Sequence, residues 1–176
     1  MHDLRKLNDL MKAITMKTSA RNEFRGIIKA VRKGAVNADV ILDLGGGLEI
    51  FANITNDAVE ELDLKPGRDA LALIKASFIV LSPDANLRVS ARNQLRGTVA
   101  AVIPGSVNGE VKIELPGGRI LTAIVTSDAL KELNLVEGAA WRSALGAFAP
   151  DWPDRVKGLG AIPIFRRGPG GWYPIP

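Results

Sequence analysis

Apolar and polar residues follow one another along this chain in patterns that mostly predict strands. Residues 36–44 alternate between the two kinds of side chain, which is typical of a strand with one buried face. By similar criteria we predict strands over residues 24–31, 48–54 and 70–81, the last of them long and almost wholly apolar. Residues 3–16 instead place leucine and isoleucine at helical spacing, so this segment predicts an amphipathic helix.

The second half of the chain predicts the same elements in the same order. A short helix follows the third strand of each half, with Thr55 and Thr126 near the N-cap position. Glycines separate the second and third strands of each half, where a hairpin turn needs residues that tolerate positive φ. The strands predicted in the second half cover residues 95–103, 107–115 and 119–125.

The order of elements repeats because the sequence is duplicated. The tetrapeptide Ser-Ala-Arg-Asn occurs at residues 19–22 and again at 90–93. The offset from Ser19 to Ser90 also relates Arg25-Gly26 to Arg96-Gly97, and positions related by this constant offset are equivalent in the two copies. Two copies of so long a period do not make a solenoid. Several strands and one short helix in each period indicate a small barrel of the OB-like kind. The predicted fold class is therefore mainly β, with two tandem OB-like barrels that each carry one short helix.

The duplication also sets the expected domain boundaries. A connector helix covers residues 1–16, the first barrel (copy one) residues 17–83, and the second barrel (copy two) residues 88–140. The repeat then stops, because the tripeptide Lys-Ala-Ser at 75–77 has Gly-Ala-Phe as its counterpart at 146–148. We therefore expect copy two to lack its last strand.

Residues 141–176 form a tail of different composition. They hold all three tryptophans and six of the ten prolines of the chain. Because proline cannot donate to a strand ladder, such a segment does not suit a central strand, and we predict an irregular tail. We hypothesise that it is an altered reading frame or a replaced end, which the gene sequence can test by showing whether a nearby frame encodes a second Lys-Ala-Ser strand.

Composition narrows the classes of function. The chain has no cysteine and one histidine, His2, which argues against metal sites or catalysis built on these residues. Its net charge is +4, but residues 141–176 carry five basic and two acidic side chains, so the duplicated part is close to neutral. We therefore expect a small anion at a specific place rather than a nucleic-acid backbone. No long apolar run or signal core is present, and we expect a cytoplasmic protein.

The repeated tetrapeptide carries groups that suit an oxyanion. The planar fork of an arginine, a hydroxyl and backbone N–H groups complement a tetrahedral oxyanion. Alternatively, the tetrapeptide begins a barrel strand and its arginine pairs with a nearby carboxylate. The candidate ligands in the two copies are Ser19, Arg21, Ser90 and Arg92.

Two further segments add candidate ligands. Lys75 and Ser77 lie in an apolar strand, where an unpaired lysine is costly to bury. Lys75 either points to solvent from an edge strand or neutralises a dianion together with an arginine. Thr55 and Thr126, with Ser127 after the latter, stand where helices begin, so they either bind an anion or serve as N-caps, and the two roles are compatible.

Taken together, these segments resemble the tandem Mop (TOBE) module of the molybdate-responsive transcription regulators, and they are also similar to the stand-alone molbindins. The resemblance covers about residues 16–140 and rests on residues 16–22, 54–56, 75–77, 90–93 and 125–127. It implies barrels that assemble as homodimers or higher oligomers and bind molybdate or tungstate at interfaces between barrels. The oxyanion ligands that it implies are Ser19, Arg21, Thr55, Lys75, Ser77, Ser90, Arg92, Thr126 and Ser127.

The function predicted first is that of a molybdate sensor, the regulator's binding module without its DNA-binding domain. A stand-alone molybdate store is the alternative, and an OB-fold binder of nucleic acid is the rival class. The rival needs a basic groove with stacking aromatics, and Phe24, Phe51 and Phe78 lie in apolar patterns that indicate core. Because no nucleophile–base pair or metal cluster is visible, we expect no enzyme. Neither a membrane nor a nucleic acid is an expected partner.

Overall fold

The chain is described here from a computed structural model that covers residues 19–83, 91–145, 164–168 and 171–173. The amphipathic helix predicted over residues 3–16 lies outside these residues. Strands dominate the covered part, in two antiparallel sheets, with two short α-helices. The predicted mainly β class is confirmed.

Copy one contributes five strands, one α-helix and one 3-10 turn. Alternation placed β2 and β3 close to their predicted ranges because buried and less buried positions alternate along them. In chain order the elements are β1 (Asn22–Lys33), β2 (Asn37–Asp43), β3 (Glu49–Thr55), α1 (Asn56–Glu61), β4 (Asp69–Ile74), the 3-10 turn (Ala76–Phe78) and β5 (Ile79–Ser82).

Copy two and the tail contribute the remaining elements. The elements of copy two are β6 (Asn93–Ile103), β7 (Asn108–Leu115), β8 (Arg119–Thr126), α2 (Ser127–Glu132) and β9 (Ala140–Leu145). The tail, for which the sequence predicted no element, adds β10 (Ile164–Gly168) and β11 (Gly171–Tyr173). Strand β9 runs past residue 140, the expected end of copy two, so copy two keeps the counterpart of β4.

The two sheets exchange strands. The first has the order β11-β10-β4-β1-β2-β3, and the second has the order β5-β9-β6-β7-β8. Strand β5 thus belongs to copy one in sequence but pairs with β9 of copy two, with Ile79 opposite Leu145. The edge of β4 in the first sheet is covered by β10, with Ile164 opposite Ala72.

The strand predicted as continuous over residues 70–81 is wrong. The chain leaves the first sheet after Ile74, forms the 3-10 turn, and enters the second sheet at Ile79. Strands in two different sheets cannot be one straight ladder, so the crossing requires a bend. Sequence periodicity did not reveal the bend because both strands are equally apolar.

Two equivalent irregularities bend the long first strand of each copy. The register of β1 against β2 shifts between Ile28 and Ala30, and that of β6 against β7 shifts at the equivalent positions of copy two. Near each bend a glycine lets two backbones approach: a Cβ added at Gly26 would lie 2.3 Å from the carbonyl oxygen of Asp43. Gly97 is the counterpart in copy two, where a Cβ would lie 2.6 Å from the carbonyl oxygen of Glu114.

One apolar cluster extends through both copies. It includes Ile28, Leu42 and Ile50 of copy one, all fully buried, and Ile113 and Leu121 of copy two. Because the cluster continues from one copy into the other, the two barrels stabilise each other by burial of apolar surface.

Candidate functional site

The Ser-Ala-Arg-Asn tetrapeptide of copy one docks on an edge strand of copy two. Its Asn22 is 1% exposed, and the side-chain amide bonds both backbone groups of Thr122 in β8. Nδ2 donates to the carbonyl at 2.8 Å, and Oδ1 accepts from the N–H at 2.6 Å. Nδ2 also donates to the carbonyl of Ile74 at 3.2 Å, at the end of β4. This one buried amide therefore joins β1, β4 and β8.

Copy two makes the corresponding contact on copy one. Asn93 is equivalent to Asn22, and its amide bonds both backbone groups of Phe51 in β3, each at 2.7 Å. Each side-chain amide forms hydrogen bonds with an edge strand of the other sheet, as the backbone of a neighbouring strand would. The serine and arginine of the tetrapeptide were predicted as ligands and the asparagine was not given a role, although its presence in both copies was the available signal.

The arginines of the tetrapeptide form ion pairs between the copies. Arg21 donates from Nη1 to Glu110 in β7 at 3.0 Å, and Arg92 donates from Nη1 to Asp39 in β2 at 2.5 Å. Both arginine side chains remain 59% exposed. These contacts are the alternative raised above, an arginine beside a carboxylate, and they leave each guanidinium accessible from solvent.

Asp39 is held in its charged form. Asn53 donates to it at 2.8 Å, and this hydrogen bond, followed by the one from Arg92, lowers the pKa of Asp39 below its ordinary value. Arg32, opposite Asp39 in the β1–β2 pair, adds a smaller electrostatic contribution in the same direction. An anion that binds Arg92 must therefore compete with a stable carboxylate.

Lys75 and Ser77 lie on the bend between the two sheets rather than in a strand. Lys75 is the N-cap residue of the 3-10 turn, Ala76 is buried and Ser77 is exposed. The Lys75 ammonium lies 5.8 Å from the centroid of the Phe78 ring. The turn packs against β8 of copy two, the strand on which Asn22 also docks.

The structure brings Arg21 and Lys75 to the same end of the first sheet. Asn22 and Ile74 are register partners in the β1–β4 pair. Arg21 precedes the first of these residues and Lys75 follows the second, so the two residues are adjacent at this end of the strand pair. The two cations predicted to neutralise a dianion thus lie just beyond the ends of neighbouring strands.

Thr55 and Thr126 cap their helices. Each Oγ1 accepts from the backbone N–H three residues later, at 3.2 Å, as an N-cap does. Ser127 donates from Oγ to the carbonyl of Gly105 at 2.8 Å. These hydroxyls have structural partners, and both threonines remain exposed.

The nine predicted ligands separate into two groups. Asn22 contacts Thr122 of β8, and Arg21 contacts Glu110 of β7, which is the register partner of Ile124 in β8. The tetrapeptide of copy one therefore runs along β8 toward Thr126. The first group consists of Ser19, Arg21, Lys75 and Ser77 of copy one, on segments that pack against copy two, and of Thr126 and Ser127 at and after the end of β8. The second group combines Arg92 with Thr55 by the same geometry on β3, and its Ser90 lies outside the described residues.

The aromatic side chains do not all belong to the core. Phe24 is 3% exposed, as predicted, whereas Phe78 is 44% exposed and Phe51 is half-buried. Arg92 lies 5.6 Å from the centroid of the Phe51 ring. The core assignment was wrong for these two residues because a strand pattern cannot show that Phe78 follows a bend or that Phe51 lies on an edge strand.

Two kinds of site are not found in the described part of the chain. Across residues 19–83, 91–145, 164–168 and 171–173, no three histidine or acidic side chains are grouped to hold a metal ion. In the same residues, no helix has the length and apolar character needed to cross a membrane.

Comparison with known proteins agrees with this architecture. The family model described as "TOBE domain" matches residues 18–81 and 89–140. The cytoplasmic molybdate-binding protein ModG, solved with molybdate bound, superposes with a TM-score of 0.70 and is 42% identical. That match covers 74% of this chain and 93% of the ModG chain.

Curated relatives extend the comparison. The molybdenum transport protein ModE of Azotobacter vinelandii is 42% identical over 78% of this chain and 51% of its own length. The molybdenum-pterin-binding protein MopA of Rhodobacter capsulatus is 41% identical over 72% of this chain and 48% of its own length. The chain thus spans about half the length of these relatives. With the family model matching most of its residues, this chain belongs to the TOBE-domain family.

Proposed function

We propose that this chain binds molybdate or tungstate between its two copies. The observation that carries the proposal is that Arg21 and Lys75 flank the register partners Asn22 and Ile74, next to β8 of copy two. An exposed arginine fork and an ammonium from neighbouring strands supply two positive charges for a dianion. Ser19 and Ser77, on segments that pack against β8, and Thr126, the last residue of β8, are exposed, and they are the proposed hydroxyl ligands. The molybdate bound in the similar ModG structure supports this choice of oxyanion.

The ion pair between Arg21 and Glu110 is compatible with this role. Both partners keep solvent contact, with 59% of the arginine and 19% of the glutamate side chain exposed. Exposed ion pairs contribute about 0–1 kcal/mol to stability, so the guanidinium can turn toward an incoming dianion at small cost. The Glu110 carboxylate holds the arginine against β7.

Calorimetry on the full chain tests the proposal. Titration with molybdate or tungstate should give a saturable binding heat, and sulfate at the same concentration should give a much weaker one. The size of the anion distinguishes these ligands, since all three are tetrahedral dianions. Absence of molybdate binding, or equal binding of sulfate, contradicts the proposal.

For the biological role, we propose a sensor module of a molybdate-dependent transcription regulator, in the cytoplasm. The similarity to ModE supports this role, and the similarity to ModG and MopA supports the alternative, a stand-alone molybdate store. The proposed assembly is a homodimer or a higher oligomer. Val36 and Val107, at equivalent positions in the two copies, are each 72% exposed and offer apolar surface for it.

A ligand-dependent change in assembly separates the two roles. A sensor has to convert binding into a structural change, so molybdate should alter the molar mass or hydrodynamic radius of the chain in light scattering. A store needs only reversible uptake. An unchanged radius at saturating molybdate therefore favours the store.

A further inference from the structure

The two copies supply different charges around equivalent contacts. Glu110, the partner of Arg21, also has Lys112 at 3.9 Å, and Lys75 stands on the turn that packs against the neighbouring strand β8. The equivalent carboxylate of copy one, Asp39, has Arg92 and Arg32 as its cations.

The counterparts of Lys112 and Arg32 are the apolar residues Ile41 and Ile103. Glu110 and Asp39 therefore each have two cations, and the charge that copy one adds is Lys75, next to Arg21 at the end of the β1–β4 pair.

The largest difference between the two copies lies in the segment that comes after β9 in the sequence. Strands β4 and β9 pair with β1 and β6 in the same register, so position 146 corresponds to Lys75 and position 148 to Ser77. The sequence has Gly146 and Phe148 at these positions, with no ammonium or hydroxyl. Copy two thus lacks the cationic segment that copy one places on β8.

Strand β10 of the tail occupies the position in the first sheet where an exchanged strand of copy two would pair. Strand β10 pairs with β4 at Leu71 and Ala72, as β5 pairs with β9 at the equivalent positions Arg142 and Ser143. It therefore covers the sheet edge that an exchanged strand of copy two would cover. Residues 158–163, which precede it, read Gly-Leu-Gly-Ala-Ile-Pro and contain no lysine, serine or threonine.

We infer that each chain holds one complete oxyanion site, at Arg21 and Lys75, and that the equivalent place at Arg92 is incomplete because the tail replaces the exchanged strand without its ligands. This inference rests on the proposed function. At Arg92 a dianion meets the guanidinium paired with Asp39, with Arg32 near that carboxylate, whereas at Arg21 it also has Lys75 on the adjacent segment.

Calorimetric stoichiometry tests the inference. The full chain should bind one molybdate per chain tightly, with any second event at least about tenfold weaker. Two equal events per chain overturn it. Absence of any binding overturns the proposed function together with it, so the two failures are distinguishable.

Substitutions at both places sharpen the test. Lys75→Ala, at an exposed side chain, should weaken the tight binding event at least about tenfold, and circular dichroism should show an unchanged fold. If it leaves one of two equal events, the sites are equivalent and the inference fails. The double variant Gly146→Lys with Phe148→Ser restores a Lys-Ala-Ser sequence after β9 and should add a second tight event. A stoichiometry that stays at one in a folded double variant contradicts the assigned cause.

Discussion

Copy one and copy two hold each other by the same contacts but present different groups beside them. Asn22 and Asn93 each bind an edge strand of the other copy, and Arg21 and Arg92 each pair with a carboxylate there. Only the sequence of copy one continues into a segment that carries lysine and serine. The repeated tetrapeptide therefore forms the interface between copies, and we propose that the unrepeated Lys-Ala-Ser segment makes one of the two contacts a binding site.

The largest predicted effect concerns the buried asparagines. Asn22→Ala removes the partner of two backbone groups of Thr122 and of the Ile74 carbonyl, so it should lower the free energy of unfolding by about 3 kcal/mol. Asn93→Ala affects two backbone groups of a half-buried residue and should cost about 2 kcal/mol. Urea denaturation measures both values, and a loss below about 1 kcal/mol for Asn22→Ala contradicts the interface role.

Substitutions of the glycines at the strand bends should have the second-largest effect on stability. Gly26→Ala places a methyl group 2.3 Å from a backbone oxygen, so it should destabilise the fold by about 2 kcal/mol. Gly97→Ala places its methyl group 2.6 Å from the carbonyl oxygen of Glu114 and 2.4 Å from Cγ2 of the fully buried Ile113, so its cost should be similar. Thermal unfolding of the two variants compares them directly. Equal melting temperatures for the variants and the unchanged protein contradict the close approach of the strands.

Binding should respond to Lys75 more than to other exposed lysines. Lys75→Ala should weaken molybdate binding at least about tenfold, or about 1.4 kcal/mol, because one of two nearby cations is lost. Lys33→Ala is the matched control, since Lys33 pairs with Glu60 at the other end of β1. Equal losses from the two variants indicate a general effect of net charge and contradict the local site.

The smallest effect is the pH dependence at Asp39. Its pKa in the folded chain lies below its ordinary value, so its contribution to stability is present above the unfolded pKa of about 4 and disappears as the pH falls through the lower folded value. Asp39→Asn should therefore flatten the acid limb of the stability curve slightly. An acid limb identical to that of the unchanged chain contradicts the pairing of Asp39 with Asn53 and Arg92.

Alternation and turn residues predicted most of the strands, and the threonine caps were also visible in the sequence. Thr55 and Thr126 cap helices because a local hydroxyl bonds a nearby N–H, which depends on neighbouring residues only. The duplication made each element recognisable twice.

Contacts between the copies could not be predicted from either copy alone. The bend after Ile74 exists because β5 pairs with β9, and no local pattern shows which sheet a strand joins. The burial of Asn22 depends on the edge of β8, and β10 forms against the free edge of β4. Each of these features requires a partner that is distant in sequence.

The most direct test of the account is a crystal structure of the full chain with tungstate, whose anomalous scattering locates the metal without assumptions about its ligands. We predict the strongest peak beside β8, with the oxygens of that tungstate within hydrogen-bond distance of the Arg21 guanidinium and the Lys75 ammonium. A crystal grown at saturating tungstate that shows no peak there, or shows its strongest peak away from both cations, contradicts the account.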